Sequence, residues 1–377
     1  MKRIQTGQIL ITVLLFIAIF ISIATFLVSK SLTFMSYATT LINRQQAMEL
    51  AYGGINIAIA QLSQMPEKTK QTPNAPAATP PAQGAASADK KPPADPDTFL
   101  ITWLLPVLNR WQLFALNRKA DGIDGTVRVC IGSQSGKINI NELYDFKKHV
   151  WIGQDAKGVN PRLPVLQALF TAIESQTGGQ GLLKSLEQFL AKRAMPLNDP
   201  TELLTIPGWQ VFKYAQFYEP PVGPASKQKQ QAATTNQKQP LYLTDIFTID
   251  SSGPLIDPLL LSDSLAGVLG LRRVQARESD ARAKGIAQVL KNYKKAWQIP
   301  ADWKALFAPL YEKDFNALPK SIELLLSPSS ILRTFWVRTR GTIQNVSVDM
   351  YAVLERRMVP DTKGMRIEVA IRKVYVL

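Results

Sequence analysis

Residues 8–29 have the sequence QILITVLLFIAIFISIATFLVS, and this stretch decides how the rest of the chain is organised. It carries no charge, and its apolar centre from Ile9 to Val28 is interrupted only by Thr12, Ser22 and Thr25. A helix rises about 1.5 Å per residue, so this centre would cover roughly 30 Å, the thickness of one hydrocarbon core. The sequence therefore predicts a membrane-spanning helix near the N-terminus.

The helical pattern continues beyond the predicted membrane edge. No proline or glycine interrupts the chain from Gln8 to Tyr52, and the first proline is Pro66. After Lys30, apolar residues recur at spacings of three and four, which is typical of an amphipathic helix. We expect one helix, within residues 8–65, that crosses the bilayer and projects well beyond it.

The first seven residues, MKRIQTG, allow two interpretations that this stretch alone does not separate. One is a plain signal anchor; a cleaved secretory signal is disfavoured because the apolar run is long and no clear small-x-small cleavage site follows it. The other is a type IV prepilin-like signal, in which residues 1–7 are a leader that is cleaved between Gly7 and Gln8. Gln8 would then be the mature N-terminus and Thr12 the fifth mature residue.

The charges indicate orientation and limit the choice of partner. Lys2 and Arg3 precede the span and only Lys30 follows closely, so the leader should be cytoplasmic and the bulk of the chain periplasmic, anchored in a bacterial inner membrane. The net charge of +15 would suit nucleic acid, anionic lipid or an acidic partner. Acidic residues are scattered among the basic ones, which favours a solvated basic surface. The tryptophans lie mostly within apolar segments, so we predict no nucleic-acid partner.

Two tracts are predicted to be linkers. Residues 66–97 are rich in proline and alanine, and residues 219–239 are rich in glutamine, lysine, alanine and proline. Neither can bury enough apolar surface to offset the entropy of ordering it. We therefore expect both tracts to be dispensable for folding of the periplasmic part.

The remaining chain predicts an α+β fold. Phe99–Asn117 is expected to be helical, and Thr126–Ile131 with Lys137–Asn141 to form a β-hairpin. A helical block follows, with helices expected at Leu163–Glu174, Gly181–Ala194, a short segment capped by Asp199 and Thr201, Asp257–Leu269, Ser279–Trp297, Ala301–Tyr311 and Ser321–Leu326. Three strands, Leu332–Ile343, Val346–Arg356 and Met365–Val376, are expected to close the fold as an antiparallel meander.

These patterns predict a specific domain organisation. A small antiparallel sheet domain, interrupted by an inserted helical domain, follows the long N-terminal transmembrane helix. The boundaries are 1–7 for the leader, 8–65 for the helix, 66–97 for the linker, 98–150 for the first part of the sheet domain, 151–330 for the insertion and 331–377 for the closing strands.

The search for catalytic and metal-binding patterns gives little. His149 is the single histidine and Cys130 the single cysteine, so a His-based site would have to use the former and no intrachain disulfide can form. A Cys130–His149 dyad would need the predicted hairpin to bring the two together, and no nucleophile motif surrounds Cys130. We therefore expect no enzyme and no cofactor. Calcium in a non-standard loop stays an alternative, with weak candidates at Asp121, Asp124, Asp245, Asp250 and Asp257.

Several separated segments together resemble one family, the minor pseudopilin K of type II secretion, also called general secretion pathway protein K. Ser135–Asn141 resembles its Ser/Gly-Gly-Lys-hydrophobic-Asn-hydrophobic-Asn segment, and Pro200–Gly208 its Glu-Leu-Leu-x-hydrophobic-Pro-Gly turn. Phe335–Gly341 followed by Val348–Arg357 is similar to its closing strand pair, and Arg44–Ala58 to the part of its helix beyond the membrane.

The resemblance implies a pilin-like fold with an inserted helical domain and processing by a prepilin peptidase. It also implies partners: other minor pseudopilins, the inner-membrane secretion platform and the lipid bilayer. Subunits of this kind normally carry Glu as the fifth mature residue, where this chain has Thr12, and a subunit without that charge is expected at the filament tip. Two alternatives remain, a minor pilin of a type IV or competence pilus and a membrane-anchored periplasmic enzyme.

Overall fold

A computed structural model describes residues 3–63, 108–153, 159–220, 240–251, 253, 255–271, 304, 307–311, 313–328, 332–361 and 364–377. In chain order the elements are α1 (Arg3–Leu62), β1 (Gln112–Leu116), α2 (Arg118–Asp121), β2 (Gly125–Ser133), β3 (Ile138–Asn139), α3 (Ile140–Leu143), β4 (Tyr144–Asp145), β5 (Val150–Trp151), α4 (Leu163–Thr177), α5 (Leu182–Ala191), α6 (Leu243–Ile246), β6 (Phe247–Thr248), α7 (Asp263–Val268), α8 (Phe307–Tyr311), β7 (Thr334–Ile343), β8 (Val346–Asp361) and β9 (Gly364–Val376). Four 3₁₀ helices lie at Pro200–Thr205, Trp209–Ala215, Phe315–Ala317 and Lys320–Leu325.

Helix α1 is 60 residues long and begins at Arg3, earlier than the predicted start at residue 8. The leader contains no proline, so nothing in its covalent structure stops the helix from extending toward the N-terminus. Hydroxyl side chains within the apolar part bond to the carbonyl four residues earlier, as Ser22 does to Ala18 at 2.9 Å and Thr25 to Ile21 at 2.8 Å. These polar residues therefore need no partner outside the helix.

The principal sheet has five antiparallel strands in the order β1-β2-β7-β8-β9. The closing meander and the α+β class are confirmed. Strand β7 lies in the centre, with β2 on one side and β8 on the other. Because β2 precedes the inserted residues and β7 follows them, the sheet joins two distant parts of the chain.

Two predictions for the first part of the sheet domain are wrong. Lys137–Asn141 does not form a hairpin with β2, because β1 and β7 already occupy both edges of that strand. Instead, β3 pairs in parallel with β6 of the insertion. The second error concerns Phe99–Asn117, which was predicted to be helical. Its residues Gln112–Leu116 form strand β1 instead, and alternate residues of this strand face solvent.

The sheet is covered on both faces. On one face, apolar residues of α1 meet Val129, Val337 and Ala352, which are 0% exposed. On the other face, Trp336 and Tyr351 stack at 6.0 Å between ring centroids, within a cluster of aromatic side chains that includes residues of the insertion. The sheet thus lies between the N-terminal helix and the inserted part of the chain.

The inserted block, meaning the described chain between β2 and β7, has its own hydrophobic core. This core draws on residues from Ile138 to Leu326, so it begins before the predicted boundary at residue 151. Phe170, Trp209 and Phe247 lie at its centre, with ring centroids of the first two 6.1 Å apart. The block therefore combines a compact apolar interior with an aromatic contact to the sheet.

The helices predicted within this block are confirmed in part. Helices α4 and α5 occupy the two segments expected, and Asp199 caps the 3₁₀ helix Pro200–Thr205 through a reciprocal bond pair with Glu202. The predicted helix Asp257–Leu269 is shorter, since Ser262 caps α7 and the residues before it bond to the loop after β2. Ser321–Leu326 is largely a 3₁₀ helix rather than an α-helix.

Some predictions fall outside the described residues. They are the linker 66–97, the helix Ser279–Trp297, residues 99–107 of the predicted first helix and most of 219–239. Of the last tract, only Glu219 and Pro220 are described. Of the predicted helix Ala301–Tyr311, residue 304 and α8 are described.

Candidate functional site: the N-terminal helix

The second half of α1 packs on the sheet along a face of small and aliphatic residues. Ala51, Ile55, Ala58 and Leu62 recur at spacings of three and four, and all are 0% exposed. This periodicity places them on one side of the helix, over the middle strands β2, β7 and β8. Alanine at two of the four positions lets the helix axis approach the strands closely.

Glycines mark the closest approach between helix and sheet. A Cβ atom on Gly341 of β7 would lie 2.1 Å from the Ala47 carbonyl oxygen and 2.6 Å from the Ala51 nitrogen. On the helix, a Cβ atom on Gly54 would lie 2.9 Å from Cγ2 of Thr339. A residue with a side chain cannot occupy position 341 unless the helix or the strand moves, whereas at position 54 the side chain of Thr339 would have to shift.

Polar contacts fix the two ends of this interface. Near the apolar half of α1, Asn43 donates from Nδ2 to Oε1 of Gln344, in the turn between β7 and β8, at 3.0 Å. At the far end, the buried guanidinium of Arg356 donates to the carbonyl oxygen of Leu62 at 3.2 Å. Gly341 lies between these contacts, so the register of the helix on the sheet is set at three points.

The first half of α1 projects away from the rest of the molecule. Every large apolar side chain from Leu10 to Ile42 whose exposure is described is at least 45% exposed. Lys30 is the single charged residue between Arg3 and Arg44 and lies over the Phe26 ring, 5.7 Å from its centroid. Within the described chain, α1 is the one helix long and apolar enough to cross a membrane. The exposed face must therefore be covered by lipid or by another apolar surface.

The predicted processing residues lie within this helix. Gly7 and Gln8 belong to its first two turns and Thr12 to its third, as judged from the backbone. Cleavage at this point stays a prediction from the sequence.

The weak calcium candidates are distributed over separate places. Asp121 and Asp124 accept backbone N–H groups of Asn117 and Arg118, both at 2.8 Å, and so cap the short helix α2. Asp245 accepts from the backbone nitrogen of Ser264 and is fully buried. Within the described ranges, no group of three or more His, Cys, Asp or Glu residues is arranged to hold a metal.

The other two candidates are engaged elsewhere in the block. Asp257 accepts from the Leu259 nitrogen at 2.9 Å, and Asp250 lies 3.6 Å from both Arg372 and Lys373 of β9. These carboxylates therefore support turns and join the block to the last strand.

The two residues considered for a nucleophilic dyad occupy different environments. Cys130 is fully buried in β2 and packs with the aromatic cluster on the face of the sheet opposite α1. His149 is exposed in the turn between β4 and β5, with a φ of 55°. The predicted hairpin that would have brought them together is not formed.

The inserted block also buries the ionisable side chain of Lys137 against the sheet. Lys137 is 1% exposed; its Nζ donates to the Thr244 carbonyl oxygen at 2.6 Å and lies 5.2 Å from the Trp336 ring centroid. Burial lowers the pKa of this amine to about 7. No local pattern in the sequence indicates that this lysine is buried.

Comparison with solved structures finds a similarity that spans most of the chain. No protein-family model matches the sequence, and no curated protein matches it. Among solved structures, the chain is similar to a chain of the GspK–GspI–GspJ complex from the type 2 secretion system of enterotoxigenic Escherichia coli. The two share 14% sequence identity, and the match covers 92% of this chain and 99% of that chain, with a TM-score of 0.37.

Proposed function

We propose that this chain is a minor pseudopilin at the tip of a type II secretion pseudopilus, where it helps to initiate assembly for protein export across the outer membrane. The observation that carries the proposal is the division of α1. One half, which includes Ala51 to Leu62, is packed on a sheet. The other half, from Leu10 to Ile42, is exposed and apolar with a single charge, and we call it the apolar rod. A globular head with such a rod is suited to lateral packing of helices, first in a membrane and then in a filament.

The residues that resemble the family have structural roles that support the proposal. A Cβ atom on Gly136 would lie 1.7 Å from the Leu260 carbonyl oxygen, so only glycine fits at this junction of sheet and block. Gly208 has a φ of 87°, which favours glycine at the end of the Pro200–Gly208 turn. Gly341, at the end of Phe335–Gly341, is the point of closest approach to α1. Each segment therefore keeps a glycine for a reason of packing or backbone geometry.

The finer points of the proposal come from the sequence. A prepilin peptidase would cleave between Gly7 and Gln8, because a residue without a side chain precedes the apolar run. The N-terminus would lie in the cytoplasm and the head in the periplasm, anchored in the inner membrane. The partners would be other minor pseudopilins, and the role would be structural rather than catalytic.

The position at the tip follows from Thr12. A carboxylate at this place would be costly in the membrane unless a neighbouring subunit neutralised it. A threonine in a helix can bond its hydroxyl to a carbonyl of the same helix, as Thr25 and Thr33 do at 2.8 and 2.9 Å. A subunit with threonine here would need no earlier subunit, which suits the first position in the filament.

Processing and export test the proposal together. In the organism that encodes the chain, deletion of its gene should stop export across the outer membrane, and the wild-type protein recovered from membranes should begin at Gln8. Gly7→Val should block both processing and rescue of export. Gly53→Ala is a matched control, since a Cβ atom at Gly53 would meet nothing within 4 Å.

Two results would overturn the proposal. One is a mature protein that begins at Met1 while export is normal; the other is a mature protein that lacks the whole apolar segment. Loss of DNA uptake or pilus display with normal export would instead favour the minor pilin of a type IV pilus.

A further inference from the structure

The face of the sheet that packs against α1 is covered unevenly. Val374 and Val376 of β9 lie directly opposite Ala352 and Met350 of β8, and directly opposite residues of paired strands point to the same face. Ala352 and Met350 are buried in the cluster that α1 covers. Val374 and Val376 are 40% and 57% exposed, because β9 is an outer strand and lies beside the helix rather than beneath it. This edge of the sheet therefore leaves apolar side chains in contact with solvent.

Helix α1 presents a further exposed aromatic residue, Tyr52, toward this edge. On the other side of the helix, the side-chain amides of Gln61 and of Gln112 in β1 exchange hydrogen bonds at 2.8 and 3.2 Å. Tyr52 precedes Gln61 by nine residues, which is about two and a half helical turns, so the two side chains leave the helix in opposite directions. Because β1 and β9 are the two ends of the sheet, Tyr52 faces β9, and it is 46% exposed.

Tyr52 and Val376 lie at the same height along the sheet. A Cβ atom on Gly54 would lie 2.9 Å from Cγ2 of Thr339, which fixes the height of this turn of the helix. Thr339 pairs with Met350, and Met350 pairs with Val376. Tyr52 is about 3 Å from Gly54 along the helix axis. A shallow groove therefore runs between α1 and β9; we name it the lateral groove and define it by Tyr52, Val374 and Val376.

The lateral groove continues into an exposed ridge of the apolar rod. Leu41 precedes Tyr52 by eleven residues and Phe34 precedes it by eighteen, so both lie within about 20° of Tyr52 around the helix. Both are exposed, and no charged residue stands between Lys30 and Arg44. The predicted membrane span ends two residues before Lys30, so Phe34 and Leu41 lie about 9 and 20 Å beyond it. Lipid tails do not reach that far, and this ridge needs another apolar cover.

We propose that the lateral groove and this ridge bind the N-terminal helix of a neighbouring minor pseudopilin, which lies beside α1 and over β9. The inference rests on the proposed function and adds the surface of this chain that the neighbour occupies. From Phe34 to Tyr52 the surface is about 27 Å long, so an elongated occupant parallel to α1 covers all of it. Lipid would not reach Val376, and a compact domain against β9 would not reach Phe34.

The dimensions of the sheet suit a second helix at this place. Strand β9 lies two strands, or about 10 Å, from the central strand β7, against which Gly341 brings α1 closest. Packed helices have axes about 8–10 Å apart, so a helix beside α1 would lie over β9. The opposite face of β9 is already occupied, since the Tyr375 hydroxyl bonds to Asp199 of the inserted block. The block therefore supports β9 from behind and leaves the groove open.

Site-specific photo-crosslinking of the full chain, in membranes of the organism that encodes it, tests the proposal. A benzophenone side chain is introduced at Tyr52 in one variant and at Val376 in another. Both should form adducts with the same second protein, and mass spectrometry should place the attachment in the N-terminal helix of that protein. Tyr214, which is 97% exposed on the inserted block, is the matched control position and should form no adduct with that helix.

A charge in the lateral groove supplies an independent test. Val376→Asp should lower the yield of the Tyr52 adduct by about tenfold or more, because the neighbour would bury an unpaired carboxylate. Val211→Asp, at an exposed valine of the block, should leave that yield unchanged. Near-ultraviolet circular dichroism of the purified variants checks the fold; if Val376→Asp does not fold, the adducts at Tyr52 and Val376 decide.

The proposal is overturned if the two positions form no adduct. It is also overturned if the adducts are with lipid, with a second copy of this chain or with residues 64–107 of the same chain, and if Val376→Asp folds without lowering the yield. These results differ from a failure of the proposed function. Export that depends on the gene, with a mature protein that begins at Gln8, would leave that function standing while the lateral groove lost its partner.

Discussion

Gly341 of β7 lies directly against the backbone of α1 at Ala47, with room for no side chain between them: an added Cβ atom would come within 2.1 Å of the Ala47 carbonyl oxygen. Backbone atoms cannot rotate away as the end of a side chain can. The approach of helix to sheet therefore depends on a single missing methyl group, and the free energy of folding should depend on it as well.

Gly341→Ala is predicted to lower the stability of the head by about 1–3 kcal/mol, because the helix must shift to admit the methyl group. Thermal unfolding of the full chain in detergent, followed by near-ultraviolet circular dichroism, measures the effect. Gly53→Ala is the control in α1, since a Cβ atom there would meet nothing within 4 Å, and it should raise stability by roughly 0.5–1 kcal/mol through helix propensity. Equal melting temperatures for Gly341→Ala and wild type would contradict the packing described.

Gly136→Ala is predicted to disrupt the junction between the loop after β2 and the inserted block. The new Cβ atom would meet the Leu260 carbonyl oxygen at 1.7 Å, so the hydrogen bond from the Ser262 nitrogen to the Gly136 oxygen, now 3.1 Å, should be lost. Loss of this hydrogen bond should be seen as faster amide hydrogen exchange at Ser262 and Leu265. The matched substitution Gly267→Ala meets nothing within 4 Å and should leave exchange there unchanged.

Asp349→Asn is predicted to destabilise the sheet at neutral pH and to have little effect in strong acid. Burial acts to raise the pKa of the Asp349 carboxyl, but hydrogen bonds from Arg340 and Arg338 outweigh it and hold that pKa below the usual range. The pKa of an aspartate carboxyl in the unfolded chain is about 3.9, and the lower pKa in the folded state stabilises the fold at pH values above that. This contribution to the free energy of unfolding is lost as the pH falls through the folded-state pKa. We expect a loss of about 1–3 kcal/mol at pH 7.

Denaturant titrations of wild type and Asp349→Asn at pH 7 and at pH 2–3 measure that difference. Asp314→Asn is a control, since Asp314 is exposed and its side chain makes no cap hydrogen bond to the 3₁₀ helix Phe315–Ala317. The prediction fails if the difference in free energy of unfolding between Asp349→Asn and wild type is the same at both pH values.

If the chain occupies the tip as proposed, Thr12→Val should support pseudopilus initiation as well as the wild type does, because a first subunit would need no charge at this position. Thr12→Glu places a carboxylate in the apolar rod and should require a neighbour to neutralise it. Counting pseudopili or measuring export in strains that carry each variant, after checking expression and processing, distinguishes the two. Complete loss of initiation in Thr12→Val would refute the assignment to the tip.

The sequence predicts the parts of this fold that are built from local patterns. Alternation identified β7, β8 and β9, and the cap at Asp199 identified the 3₁₀ helix after it. The apolar segment that becomes β1 was predicted to be helical, because its strand conformation depends on pairing with β2.

Features that depend on distant contacts could not be predicted in this way. Lys137 bonds to Thr244, 107 residues later in the chain, and no local pattern reveals that the two meet. The parallel pairing of β3 with β6 has the same origin. For the candidate site, the apolar rod could be predicted from composition, whereas the close approach at Gly341 required the packed structure.

The order of strands in the sheet has a consequence for biosynthesis. The central strand β7 begins about two hundred residues after β2 ends, and β7 and β8 supply most of the surface on which α1 packs. When the apolar rod first enters the membrane, the ribosome has not yet made those strands. The head can therefore complete its fold only after nearly the whole chain has been synthesised, and long-range pairing of this kind is slow. A chain that ends before β7 would leave α1 without most of the surface on which it packs.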